Sequence, residues 1–239
     1  MFKPNLKSKL IVAVMVIIGI TAFMSCNKDS EQIGDNPSKE TITIDNLGEV
    51  HNFLLAEYEK ANLKSESNSK TFGDVYNRLE KLLINSDKYS VNSTIASSLS
   101  ESEKQVIFDS FADIKLDTNF QKEFEKRFLI YFQSLTNIDE NIKLIMLNTI
   151  QNYSSINNSN DLENYSDNDL VLAYNNVYNS SMDYWSKKGK LKSANMSENQ
   201  AIVWADAAGA AIGLGCGGLM SILMGAAASN MVIECHEIN

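Results

Sequence analysis

Residues 197–233 read SENQAIVWADAAGAAIGLGCGGLMSILMGAAASNMVI, and no charged residue interrupts the stretch from Ala207 to Ile233. Small side chains recur at every fourth position, as Ala201, Ala205, Gly209, Gly213, Gly217, Ser221, Gly225 and Ser229. Such a row lets another helix backbone come close, the packing that small-xxx-small pairs use in membranes. Propensity opposes it. Each glycine costs about 0.8–1.0 kcal/mol against alanine inside a helix. The six glycines from Gly209 to Gly225 would together cost roughly 5 kcal/mol if all were helical. The segment therefore needs close packing against protein, a bilayer, or a break that takes some glycines out of helix. Geometry favours the break. Positions four apart advance about 400° on an α-helix, so the ladder drifts about 40° per step and wraps about 280° over its length. One straight partner cannot follow that. Four of the six residues Gly213-Leu214-Gly215-Cys216-Gly217-Gly218 are glycine, and a hairpin bent there would join an alanine-rich arm to a bulkier one. Ser197 with Gln200 gives the capping-box pattern ahead of the first arm.

Upstream of this segment the chain avoids helix breakers. Proline is absent after Pro37, and between residues 38 and 208 the only glycines are Gly48, Gly73 and Gly189. Apolar residues recur at helical spacing in Leu47, Val50, Leu54 and Tyr58, in Phe72, Val75, Tyr76, Leu79 and Leu83, and less regularly in Val106, Ile107 and Phe111. The strongest stripe is Phe120, Phe124, Phe128, Tyr131 and Leu135; Ile142, Met146 and Ile150 follow, then Leu170, Tyr174, Val177 and Trp185. Thr71 with Asp74, Ser100 with Glu103, and Ser166 with Asp169 resemble capping boxes. The segments Lys64–Lys70, Ser86–Ser98 and Ser154–Asn160 read as polar loops, and Thr41-Ile42-Thr43-Ile44 is the only short alternating run. The expected fold class is all-α: an irregular bundle of about six helices with a Gly/Ala-rich C-terminal helix or helical hairpin. No internal repeat of fixed period supports a solenoid.

The chain of 239 residues, 44% of them apolar, suits one moderate body plus a targeting segment. Its net charge of −9 leaves no basic footprint for nucleic acid. Two histidines and three cysteines leave little material for a metal site, a haem or a disulfide framework, so no cofactor is expected.

The N-terminus has the pattern of an export signal. Lys3, Lys7 and Lys9 precede the unbroken apolar run Leu10–Ile20, and no acid appears before Asp29. The apolar run is short of the roughly 20 residues that a membrane span needs. It ends at Phe23-Met24-Ser25-Cys26, which resembles the lipobox of bacterial lipoproteins, in the looser form that those of the Bacteroidota tolerate. The resemblance covers about the first 31 residues and implies cleavage before Cys26 and acylation of that cysteine. An uncleaved anchor, or plain secretion with Cys26 as a bystander, are the alternatives. Asn27-Lys28-Asp29-Ser30-Glu31 is similar to the lysine-then-acid signal that directs some of these lipoproteins to the cell surface. The implied organisation is a signal peptide (1–25), a lipidated flexible tether (26–42), an acidic helical domain (43–196) and the apolar C-terminal segment (197–239). Cleavage would remove three lysines and no acid, so 21 bases fall to 18 against 30 acids, a net −12. An anionic leaflet repels such a body. The acyl chains would have to hold it, at about 0.8 kcal/mol per buried methylene.

Candidates for chemistry are sparse. Cys216 and Cys235, in an exported chain, could pair across a hairpin, closing a loop worth roughly 3 kcal/mol, or stay as buried thiols. Cys235-His236-Glu237 sets a nucleophile beside a base, but adjacent residues at a chain end rarely meet in that geometry. His51 reads as a partly exposed helix residue. The acids Asp161, Glu163, Asp167 and Asp169 lack the spacing of an EF-hand and read as a solvated loop. The phenylalanine stripe reads as core, and Tyr174, Tyr178, Tyr184 and Trp185 as either packing or a recognition surface. The expected function is non-enzymatic binding by a lipid-anchored protein of the outer membrane or cell surface. Its C-terminal segment would pack helices within the chain, against an unknown protein partner, or against a second copy in self-association. A helix from Ala207 to Ile233 would be about 40 Å long against a hydrocarbon core of about 30 Å, and the ladder resembles those of glycine-zipper bacteriocins. The rival function is therefore a membrane-active effector, with a hydrolase of unrecognised site behind it.

Overall fold

With so few places to stop a helix, the chain forms eight of them among the described residues. The computed structural model describes residues 38–238 apart from 63–69, 98, 136–137, 154–167 and 190–195, and apart from the side chains of 62, 150–152, 196–198 and 236–238. In chain order the elements are β1 (Glu40–Ile42), α1 (Leu47–Asn62), α2 (Phe72–Ile84), β2 (Tyr89–Ser93), α3 (Glu101–Ala112), α4 (Phe120–Ser134), α5 (Glu140–Asn152), α6 (Asp169–Lys187), α7 (Met196–Leu214) and α8 (Gly218–Ile238). The fold is an all-α irregular bundle ending in a helical hairpin.

That hairpin is the core. Every residue from Ala201 to Val232 is buried except Gly215 and Leu219 at the turn. A helix apolar on all sides has to be covered on all sides. Here α7 and α8 cover each other, α6 and α4 pack on α7, and α2, α1 and α4 pack on α8. The outer helices turn their apolar stripes inward, so Leu47, Leu54, Phe72, Leu79, Phe120, Phe124, Phe128 and Val177 are fully buried. Trp204 of α7 anchors the aromatic part of this core. Its ring meets Phe128, Tyr153 and Phe124 edge-on with centroids 5.2, 5.7 and 6.2 Å away, and its indole N–H donates to Thr149 Oγ1 at 3.1 Å. Such edge-to-face pairs add about 0.5–1.5 kcal/mol each beyond their burial.

The turn falls where the glycines cluster. α7 stops at Leu214 and α8 starts at Gly218. The backbone N–H of Cys216 donates to Gly213 O and that of Gly217 to Leu214 O, both at 2.9 Å. Gly217 sits at φ +100, a conformation that a Cβ would strain.

Helix starts follow local chemistry. The boxes at Thr71–Asp74 and Ser100–Glu103 both form. The third start differs from expectation. α6 begins at Asp169 under an Asn168 cap, whose Oδ1 accepts from the N–H groups of Leu170 and Val171 at 3.1 and 3.4 Å. Asp169 is thus the first helical residue rather than the third, while Ser166 and the acids Asp161, Glu163 and Asp167 lie outside the described residues, as does Cys26. The side chain of Ser197 is outside them too.

Two sequence expectations need correction. The stretch read as tether to residue 42 and the loop read at Ser86–Ser98 pair with each other as the parallel strands β1 and β2, with Glu40 N–H donating to Lys88 O and Thr94 N–H to Ile42 O, both at 2.9 Å. Buried Ile42 and Tyr89 explain the pairing, because they insert into the core from otherwise polar segments. Ser38–Asn239 forms one compact unit, and within it the hairpin is interior from Ala201 to Val232.

Candidate functional site

The buried hairpin brings one charge inside with it. Asp206 on α7 is fully buried, and three donors from two other helices converge on its carboxylate. His51 Nε2 of α1 lies 2.8 Å from Oδ1, Trp185 Nε1 of α6 donates to Oδ2 at 2.9 Å, and Ser181 Oγ of α6 also donates to Oδ2. His51 is fully buried too, which corrects the expectation of a partly exposed residue. Its other nitrogen, Nδ1, is 3.2 Å from Asn52 Oδ1, and the Asn52 amide is held the right way round by its Nδ2 donating to Ser180 O at 2.9 Å. Both ring nitrogens therefore face oxygen acceptors. His51 is thus held at both ring nitrogens, by Asp206 on one side and Asn52 on the other. Burying a carboxylate costs several kcal/mol unless hydrogen bonds replace its water, and three donors do so here.

A serine, a histidine and an aspartate in one bonded group invite comparison with nucleophilic catalysis, but the wiring is different. Ser181 donates its hydrogen bond to Asp206 and makes none to His51, so the imidazole does not activate the hydroxyl. All three side chains have zero exposure, so no substrate reaches them. The cluster is an interior clamp joining α1, α6 and α7.

One accessible feature is a half-open cleft of about 480 Å³ where the hairpin turn meets α2, α3 and the segment after β2. Gly217, Gly218 and Met220 form one side, and Ile95 with Tyr76 and Phe108 supplies the apolar wall. The Tyr76 and Phe108 rings stack at a tilt, with centroids 4.8 Å apart. Burial, followed by the nearby Glu80, pushes the Tyr76 hydroxyl well above its usual value, so it stays a neutral phenol. Burial raises the Cys216 thiol at the cleft to about 11, which makes it a poor nucleophile near neutral pH. Polar groups at the rim include Glu80, Glu101 and Lys104, with Lys104 Nζ 2.6 Å from Glu101 Oε1.

The ladder residues face inward along the hairpin. A Cβ at Gly213 would stand 2.4 Å from Met220 O, and one at Gly209 2.5 Å from Met224 O, so the two backbones touch there. Gly225 lies against Asp206 O, at 2.6 Å from its own added Cβ. Ser221 Oγ crosses the hairpin to donate to Ala210 O at 2.7 Å. Ala201, Ala205 and Ser229 are buried, and Gly217 serves the turn. The disulfide allowed for Cys216 and Cys235 is absent: both are buried thiols. Cys216 sits in the turn and Cys235 near the far end of α8. A rise of 1.5 Å per residue puts them about 25 Å apart, whereas bonded cysteines need Cα atoms within about 7 Å. His236 and Glu237, placed beside Cys235 in sequence, have side chains outside the described residues. Tyr174, Tyr178 and Trp185 are buried, so α6 uses them for packing.

Among the described residues no group of three His, Cys, Asp or Glu side chains is arranged to hold a metal ion. No family model, curated protein or solved structure matches this chain.

Proposed function

We propose that the protein is an exported lipoprotein of the outer membrane, carried on acylated Cys26, and that it works by binding rather than by catalysis. The observation that carries the binding role is the half-open cleft of about 480 Å³ at the hairpin turn, which sets an aromatic pair among polar side chains. Its volume lies in the range of small-molecule sites. The buried hairpin supports the same reading. Its backbone contacts fix the turn, and the turn in turn sets one side of the cleft. The N-terminal sequence argues for the anchor, and the acidic mature chain keeps the body off an anionic leaflet.

Growth with an alkyne fatty acid tests the anchor. Wild type is expected to take up label and the Cys26→Ala variant to lose it, with protease treatment of intact cells reporting surface exposure. An unlabelled wild-type protein would overturn the lipoprotein reading.

A second reading has one observation in its favour. The Gly218–Cys235 part of α8 is long and apolar enough to cross a membrane, although most of it is buried inside the fold. On this reading the body is a container from which the hairpin inserts into a bilayer, and adding the full chain to dye-loaded anionic vesicles would release the dye. Intact vesicles at high protein-to-lipid ratio would remove it.

A further inference from the structure

Resting on the reading of the cleft at the hairpin turn as a binding site, we propose that its ligand is an organic ammonium ion carrying an apolar or aromatic body. Three charged side chains line the cleft. Lys104 and Glu101 satisfy each other at 2.6 Å. Glu80 has no hydrogen-bond or ion-pair partner among the described residues, and its carboxylate is close enough to the Tyr76 hydroxyl to act on it. Glu80 stands one helical turn after Tyr76 on α2, so the two side chains share a face.

The free charge of the cleft is thus one carboxylate beside two aromatic rings. An anionic ligand would meet Glu80 with the only lysine already engaged. A neutral ligand would cover the carboxylate without replacing its lost water, a net cost. A cation bonds to the carboxylate, and an aromatic face within about 6 Å attracts it further. The Tyr76–Phe108 pair offers such faces, and Met220 opposite gives a soft apolar surface for the body of the ligand. A volume of about 480 Å³ lies in the range for small-molecule sites.

Calorimetric titration of the purified full-length chain with 2-phenylethylammonium, 2-phenylethanol and 3-phenylpropionate tests this, since the probes share a body and differ in charge. The ammonium is expected to bind about tenfold more tightly than the alcohol, which is about 1.4 kcal/mol, and the carboxylate to bind weakest. Glu80→Gln is expected to bring the ammonium-to-alcohol ratio near one while leaving the urea unfolding midpoint unchanged. Asn77→Trp, at an exposed position on the cleft, is expected to block both probes. If the alcohol or the carboxylate binds wild type as well as the ammonium and Asn77→Trp blocks it, the ligand class is wrong and the binding site stands. An ammonium preference that survives Glu80→Gln or Asn77→Trp places the cation elsewhere and overturns the proposal. If none of the probes binds wild type at millimolar concentration, the ligand class and the binding reading fall together.

Discussion

Replacing Asp206 with alanine is expected to lower the folding free energy by about 3–5 kcal/mol, because three buried donors lose their acceptor at about 1–3 kcal/mol each. The reason lies in what remains. The His51 ring, the Ser181 hydroxyl and the Trp185 indole would keep their places in an interior with no exposure, each with a hydrogen aimed at a vacated acceptor. Water cannot follow them there without opening the contacts among α1, α6 and α7. Since small domains are stable by only about 5–15 kcal/mol, urea unfolding should show a large fall in midpoint. The matching double-mutant cycle with His51→Ala should give a coupling of about 0.5–3 kcal/mol, as for residues in one bonded network. A loss below about 1 kcal/mol for Asp206→Ala would mean that the carboxylate is solvated and that the interior described above is wrong.

Gly213→Ala separates two opposed expectations by sign. In an isolated helix the change stabilises by about 0.8–1.0 kcal/mol. In this fold the new methyl would stand 2.4 Å from Met220 O and 2.6 Å from Ser221 Cα, and backbone cannot turn aside as a side-chain end can. Overpacking of this kind costs about 1–3 kcal/mol, so the variant is expected to be less stable than wild type by about that amount. Gly215→Ala is the control. Its nearest added contacts are at 3.9 Å, on Leu99 and Tyr131, and a substitution of this kind stays within about 0.5 kcal/mol. If Gly213→Ala stabilises the protein, α7 and α8 do not touch at their backbones.

Much of the architecture could be read from local pattern. The helical stripes at Phe72–Leu83 and Phe120–Leu135, the boxes at Thr71 and Ser100, and the break among the glycines after Gly213 each depend on residues within a few positions of one another. Drift of the four-residue ladder around a helix was enough to argue for a hairpin. The strands were hidden for the opposite reason: three residues from β1 and five from β2 carry little pattern, and their pairing joins segments nearly fifty residues apart. The interior clamp was hidden more deeply. His51 and Asp206 are 155 positions apart, and His51 does not differ locally from an ordinary helix residue. One signal was present: Asp206 is the only charge in the apolar run from Ala201 to Ile233, and a charge inside an all-apolar helix requires a buried partner. The cleft has no linear signature, because α2, α3, the segment after β2 and the hairpin turn each give it a few residues.

Hydrogen exchange of the full chain in aqueous buffer, read by mass spectrometry of its peptides, tests most directly whether the C-terminal hairpin is the protein's own core. Amides between Ala201 and Val232 should be among the slowest to exchange, opening only with global unfolding, and should be slower than those of α3, whose helix is largely exposed. Exchange in α7 and α8 as fast as in α3 would contradict the account.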